Sequence, residues 1–255
     1  MDTYGLLGRK LGHSFSKEFF TRKFQEEGIN AEYVNFEIPS INCLKDVLQN
    51  NPDIKGLNVT VPYKEEVIAC LDTLDADATA IGAVNVIKTE TDANGKKTLQ
   101  GFNTDHIGFT DSLVPHLHSH HTHALILGSG GASRAVEHAL IQLGILPLIV
   151  SRNPESTRHR RSPIISYSQL TADIISSCTV IINTTPLGMY PDVNTYPFIP
   201  YHLINKQHLA YDLVYNPQQT QFMQKCSARG ATCVCGLDML HIQALRSWDI
   251  WTGIQ

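Results

Sequence analysis

The stretch 123–143 constrains the fold of this chain more than any other. It opens with five residues, HALIL, that read as a short strand and run almost unbroken in apolar side chains. Gly128-Ser129-Gly130-Gly131-Ala132 follows directly, and 133–143 then carries apolar residues at helical spacing up to Gly144. A strand without polar alternation is buried on both faces, which is the habit of parallel sheets covered by helices. Strand, glycine loop and helix in that order open a β-α-β unit of dinucleotide-binding type. Gly128 permits the tight turn, and Gly130 lets the backbone come close to a pyrophosphate. The helix start offers unpaired N–H groups and the positive end of its dipole. Ser133 stands where the fingerprint has Gly or Ala, and read alone the loop is also a plain tight turn before a helix.

The end of the following strand, 146–150, discriminates between cofactors. A site for NAD places an acid there, about 20 residues beyond the glycines, to bind the ribose 2′-hydroxyl. This chain reads Ser151-Arg152-Asn153, with Arg158, Arg160 and Arg161 in the same loop. Guanidinium groups suit a 2′-phosphate, to which they make planar, charge-assisted bonds. The expectation is NADP, with Ser151 and Arg152 the firmest positions. A solvated surface charge run is the plainer alternative.

Composition narrows the remaining classes. At 255 residues, 42% hydrophobic and 17% charged, the chain can bury a core without metal or disulfide staples and is not disordered. Its net charge of −4 argues against general nucleic-acid binding, which needs a basic face. The six cysteines (Cys43, Cys70, Cys178, Cys226, Cys233 and Cys235) form no CxxC pair and read as small buried hydrophobes of a reducing compartment. No basic-then-apolar leader is evident, and no run approaches the ~20 apolar residues of a membrane helix. A soluble cytoplasmic protein is expected.

The first hundred residues also alternate strand and helix patterns. Strands are expected at 4–8, 31–38 and 56–61, and helices at 17–27, 41–48 and 64–74. A hairpin, 84–89 with 97–102, turns at Asp92-Ala93-Asn94-Gly95. The order predicts a largely parallel sheet edged by a hairpin. A helix from Asp105 to about Leu117 then leads into the second unit, whose later strands are 179–183, 209–214 and 231–235.

Beyond the glycine loop, an ordered set of motifs resembles the shikimate dehydrogenase family. They are His13-Ser14-Phe15-Ser16, Asn58-Val59-Thr60-Val61-Pro62-Tyr63-Lys64, Gly82-Ala83-Val84-Asn85 and Asn103-Thr104-Asp105. Arg134-Ala135, Asn183-Thr184-Thr185-Pro186-Leu187-Gly188-Met189, Asp212-Leu213-Val214-Tyr215-Asn216-Pro217, Gly236-Leu237-Asp238-Met239-Leu240 and Gln243-Ala244 follow. The resemblance implies an α/β fold of two domains with the active site in the cleft between them. One is a mixed, mainly parallel substrate domain, 1–104, completed by C-terminal helices 237–255. The other is a Rossmann-like NADP-binding domain, 105–236.

The implied reaction is the NADP-dependent, reversible reduction of 3-dehydroshikimate to shikimate in aromatic amino-acid synthesis. Position by position, the resemblance makes Lys64 and Asp105 the catalytic pair, with Asp105 holding Lys64. It assigns Ser14, Ser16 and Tyr215 to the substrate carboxylate, and Asn58, Thr60, Asn85, Asp105 and Gln243 to ring hydroxyls. Gly128, Ser129, Gly130, Gly131 and Ala132 take the pyrophosphate, and Ser151, Arg152 and Asn153 the adenosine phosphate. Thr184, Leu213 and Gly236 complete the cofactor side. No metal is implied, the partner is a small-molecule substrate, and the expected state is a monomer or homodimer. Two rivals stand beside this reading, a quinate/shikimate dehydrogenase using NAD and a non-catalytic shikimate-binding sensor. The chain departs from the family at Lys17, where the first motif usually continues into proline, and in the order Ser151-Arg152-Asn153.

Plainer readings accompany these residues. Lys64 alone is a surface lysine at a helix start, where its charge opposes the helix dipole. Thr104 or Asp105 is an N-cap, Asn58 and Asn85 are amides satisfied by backbone, and Gln243 faces solvent. Met239, Leu240 and Ile242 belong to the core. The tract His116, His118, His120, His121 and His123 lacks acid or thiol partners, and adventitious metal binding is its expected limit.

Overall fold

The computed structural model describes residues 1–12, 14–92, 95–156 and 161–254. His13, the Ala93-Asn94 tip of the expected hairpin turn, Arg158 and Arg160 lie outside them. The chain divides into two compact units, 1–104 with 244–255 and 105–243.

The first unit is built in the order β1 (Asp2–Gly8), α1 (Phe15–Glu26), β2 (Ala31–Glu37), α2 (Leu44–Asn50), β3 (Ile54–Val59), β4 (Thr73–Leu74), α3 (Ala76–Ile81), β5 (Val86–Thr91) and β6 (Lys97–Phe102). Its sheet runs β2-β1-β3-β5-β6-β4. Strand β1 pairs in parallel with β2 and β3, whereas β5 is antiparallel to both β3 and β6. The expected hairpin is β5–β6, with β5 starting two residues later than its apolar pattern suggests.

One expectation fails here. No α-helix spans 64–74; a single 3₁₀ stretch, Glu66–Cys70, stands in its place. The Lys64 carbonyl instead accepts the Val84 N–H at 2.7 Å, and fully buried Tyr63 donates its hydroxyl to the Ile38 carbonyl at 2.7 Å. The first bond takes a backbone carbonyl that a helix would need, the second anchors the Tyr63 side chain, and with no α-helix starting here the helix-dipole argument about Lys64 does not apply.

Aromatic residues close this unit's second core. Phe20 stacks on Tyr33 at 4.8 Å between ring centroids, Trp251 lies 4.9 Å from Tyr4, and Trp251 Nε1 donates to the Ile87 carbonyl. Trp248 and Trp251 come from the last helix, α8 (Leu237–Thr252), which passes from the second unit to the first between Gln243 and Ala244. The expected rejoining point, residue 237, is the start of that helix.

The second unit runs α4 (Asp105–Leu113), β7 (His123–Leu127), α5 (Gly131–Gln142), β8 (Leu146–Ser151), β9 (Ile164–Ser166), α6 (Ala172–Ser177), β10 (Val180–Asn183), β11 (Leu209–Asp212), α7 (Gln221–Ser227), β12 (Thr232–Cys235) and the first part of α8. The helix expected to reach Leu117 stops at Leu113 and continues as a 3₁₀ turn, Val114–His116, around Pro115. All six strands are parallel, in the order β12-β11-β10-β7-β8-β9. Ala124 and Ile126 enter one core while Leu125 and Leu127 enter the other, which explains the unbroken apolar run. The chain moves outward from β7 through β8 and β9, then restarts at β10 on the other side. That reversal makes the carboxyl ends of β7 and β10 a topological switch point, where open α/β sheets bind ligands. No helix among the described residues is long and apolar enough to cross a membrane.

Candidate functional site

In the first unit, the expected substrate residues gather at one edge of the sheet. Asn58 sits next to last in β3 opposite Leu6 of β1 and Val86 of β5, so β1 and β3 end where β5 begins. Thr60 leaves that edge with its N–H on the Leu7 carbonyl, 2.9 Å away. Asn85 precedes β5, and Thr104 follows β6. Half-buried Lys64 is tied to the same place through the bond from Val84 to its carbonyl.

The amides are knitted into a network. Asn85 Oδ1 accepts the Thr104 N–H at 2.7 Å, and its Nδ2 donates to Thr104 Oγ1 at 3.0 Å. Asn58 Oδ1 accepts the Tyr33 hydroxyl at 2.7 Å, while Nδ2 donates to Ser247 Oγ at 2.9 Å. Ser247 Oγ lies 3.5 Å from Thr104 Oγ1. Burial pushes the Tyr33 phenol well above its ordinary value, with a hydrogen bond to Ser16 acting the other way. Ser14 caps α1, its Oγ accepting the Lys17 N–H at 3.3 Å. A proline at 17 would have no N–H to give, so the departure at Lys17 supplies the donor of this cap.

Tyr33, Thr104 and Ser247 are the framework residues that sequence reasoning missed or read only as a cap. Ser247 carried a signal, because it lies one helical turn beyond Gln243 on the same face of α8.

In the second unit, Asp105 opens α4 and is buried. One turn later, a Cβ on Gly108 would stand 2.6 Å from the Met239 carbonyl and 3.2 Å from Gln243 Cβ. This close approach sets the helix that starts with Asp105 against the helix that carries Gln243. Gln243 is buried, not solvent-facing, and donates to the Leu240 carbonyl at 2.9 Å. Tyr215 is half-buried in the loop after β11.

The glycine loop forms at the switch point. Gly128 has φ +111°, and a Cβ there would lie 2.8 Å from Thr184 Oγ1. Thr184 follows β10 and is fixed by two bonds to the Leu127 carbonyl, from its N–H at 3.0 Å and its Oγ1 at 2.8 Å. A Cβ on Gly130 would meet nothing within 4 Å, so the loop presents open backbone there. Gly130 is the N-cap of the twelve-residue helix α5 and supplies no side-chain cap to the N–H groups of Gly131 and Ala132. Ser133 takes the fingerprint's third position fully buried, its hydroxyl satisfied by the Gly130 carbonyl at 2.9 Å.

At the end of β8, buried Ser151 bonds Ser129 of the glycine loop (Oγ to Oγ, 3.1 Å) and accepts the Asn153 N–H at 3.2 Å. No acid stands there, and Arg152 and Asn153 are exposed. Arg161 belongs elsewhere. Its N–H is held by Glu137 Oε1 at 3.1 Å, three residues before β9, whose Ile164 pairs with Ile149. The Arg161 backbone is thus at the amino end of β9, whereas Arg152 follows the carboxyl end of β8.

Leu213 follows β11 with its N–H on the Asn183 carbonyl, and a Cβ on Gly236 would lie 2.5 Å from the Leu213 carbonyl. The expected nicotinamide-side residues are therefore neighbours. Immediately before Leu213, at the end of β11 and paired with Asn183 and Cys235, lies a group sequence reasoning did not single out, the fully buried Asp212. Burial pushes its carboxyl from 3.8 up to about 6, opposed by hydrogen bonds from Thr220, Val214 and Asn183.

The histidine tract is used for backbone bonding. His120 and His121 each place Nε2 near the Gln207 carbonyl, at 3.1 and 3.3 Å, and His121 Nδ1 accepts the His118 N–H. Burial, then the neighbouring His120, lowers the His121 pKa. All six cysteines are unpaired.

Comparison with known proteins places these features in a family context. Residues 6–87 match the family model of the shikimate dehydrogenase substrate binding domain. The chain is 39% identical over 261 residues to a shikimate dehydrogenase (NADP(+)) of Methanococcus maripaludis, covering 98% of this chain and 91% of that protein. Among solved structures it is similar to shikimate dehydrogenase from Aquifex aeolicus, with a TM-score of 0.86 and 35% identity over 99% of this chain and 92% of that one. It is also similar to the Thermus thermophilus enzyme in complex with NADP(H) and shikimate, with a TM-score of 0.85 and 29% identity over 100% and 94% of the two chains.

Proposed function

The chain belongs to the shikimate dehydrogenase family, and on that premise we propose that it catalyses the reversible, NADP-dependent reduction of 3-dehydroshikimate to shikimate. The observation that carries this reading is the edge of the first sheet, where Asn58, Thr60, Asn85 and Thr104 gather and where the Lys64 carbonyl is bonded by Val84, the residue before Asn85. Amides and hydroxyls in that density suit a polyhydroxylated acid, because a missing substrate hydroxyl would leave a site group unpaired.

The residues of the second unit support NADP as the cofactor. Gly128 to Ala132, with open backbone at Gly130 and a helix start that has no side-chain cap, suit a pyrophosphate. Ser151, Arg152 and Asn153 suit the adenosine 2′-phosphate, with no acid to repel it. Thr184, Leu213 and Gly236 line the nicotinamide side. The bound nicotinamide supplies the hydride chemistry itself.

The chain's own residues bind, orient and move the proton. Lys64 donates a proton to the carbonyl oxygen as charge develops on it and takes one back in the reverse direction. Asp105 completes the catalytic pair and accepts from a ring hydroxyl. Ser14, Ser16 and Tyr215 hold the substrate carboxylate, and Thr60, Asn85 and Gln243 its hydroxyls. Asn58, bonded to Tyr33 and Ser247, acts from within the framework. In this reading 1–104 with the end of α8 is the substrate domain and the remainder the cofactor domain, in a cytoplasmic enzyme.

Steady-state rates with shikimate and quinate, each with NADP and NAD, test the proposal. Shikimate with NADP is expected to be the best pair, and Arg152→Ala to narrow the preference for NADP over NAD. Faster turnover with quinate or NAD would overturn it.

A further inference from the structure

We propose that Asp212 is a positioning residue for the cofactor, its buried carboxylate setting the loops from which Thr184 and Leu213 meet the glycine loop and Gly236. This inference rests on the reading of the second unit as an NADP site.

Asp212 ends β11 and has no exposed surface. An ionised carboxylate only accepts hydrogen bonds, and three donors from three segments converge on it. Asn183 Nδ2 and the Val214 N–H reach Oδ1 at 2.9 and 3.0 Å, and the Thr220 hydroxyl reaches Oδ2 at 2.6 Å. The Asn183 arm continues outward. Asn183 Oδ1 accepts the N–H and hydroxyl of Thr185 at 3.0 and 2.6 Å, which bends the chain after β10. The residue inside that bend is Thr184, which meets Gly128.

The Val214 arm fixes the residue after Leu213, whose carbonyl abuts Gly236. The Thr220 arm reaches the start of α7, where Thr220 also accepts the Met223 N–H, and its Cβ and Cγ2 would crowd any side chain at Gly188. A helix cap alone needs Thr220 and no buried charge. A buried ion is also a poor means of stabilisation compared with apolar packing of the same shape. What the carboxylate adds is one acceptor common to three loops at the carboxyl edge of the sheet, beside the switch point.

Asp212→Ala and Asp212→Asn in the full chain test this, with dissociation constants for NADPH followed by its fluorescence and KM for shikimate measured alongside. Asp212→Ala is expected to weaken NADPH binding about tenfold or more, with a smaller rise in KM for shikimate, felt through Tyr215 beside Val214. Asp212→Asn, which keeps the shape and one acceptor oxygen, is expected to recover most of that loss. An NADPH affinity within about twofold of wild type, or equal losses for both ligands, overturns the proposal. If Asp212→Ala does not fold, Thr185→Val removes one bond of the Asn183 arm and is expected to weaken NADPH binding about threefold. No change in Thr185→Val overturns the proposal equally. Wild-type protein that fails to bind NADPH overturns the NADP reading and this inference with it, whereas tight wild-type binding unaffected in Asp212→Ala overturns only the role of Asp212.

Discussion

A carboxyl that titrates near 6 inside a folded protein leaves a mark on stability, and Asp212 is such a group. Folding raises its pKa from 3.8 to about 6, so between those values the folded chain holds a proton that the unfolded chain has released. The unfolding free energy therefore falls as pH rises through this window and levels off above about 6. The contribution is on the order of 2 kcal/mol between about pH 4.5 and pH 7. Urea unfolding of wild type and Asp212→Asn across that range checks it. The stability of wild type relative to the variant is expected to decline by this amount, and a constant or rising difference would contradict the assignment. Single residues were unevenly legible in the sequence. Ser151, without a neighbouring acid, and the pair Asn58 and Asn85 could be picked out from motif and strand context. Asp212 lay in a quoted motif, yet its partners Asn183 and Thr220 are 29 and 8 residues away, and only folding shows that they converge.

Among the elements, the strand–glycine–helix unit was the most legible because its signals are local. Gly128 and Gly130 carry different burdens in it. Gly128→Ala forces a side chain into φ +111° and within 2.8 Å of Thr184, and is expected to cost on the order of 1–3 kcal/mol in urea unfolding. Gly130 has φ −83° and open space around its absent Cβ, so Gly130→Ala is expected to change stability little while weakening NADPH binding. Full NADPH affinity in Gly130→Ala would show that the open backbone is not the pyrophosphate site. The helix expected over 64–74 failed for a long-range reason. Its apolar spacing serves a loop whose carbonyl at Lys64 is claimed by Val84 and whose Tyr63 is claimed by Ile38. Helices α3, α6 and α7, of six or seven residues, are too short for periodicity to register, although Asp75, Thr171 and Thr220 cap them with side-chain bonds.

At the scale of the molecule, both sheets follow from the alternation of apolar strands with helices, and the restart of topology near residue 104 was visible in the sequence. The route of α8 through both units was not, since its apolar face reads alike along its length. Trp248 and Trp251 pack with Tyr4 and Phe24 in the first unit, while Gln243 lies against Gly108 in the second. Each unit presents a carboxyl edge, one carrying the amides and hydroxyls of Asn58, Thr60, Asn85 and Thr104 and one the open glycine backbone at Gly130. The most direct measurement is absorbance at the reduced-nicotinamide band after shikimate and NADP are added to pure wild-type protein and to Lys64→Ala. Wild type is expected to show a rise, reversed by 3-dehydroshikimate, and Lys64→Ala a rate lower by about two to four orders of magnitude with shikimate binding little changed. No rise with wild type, or the same rate in both proteins, would contradict it.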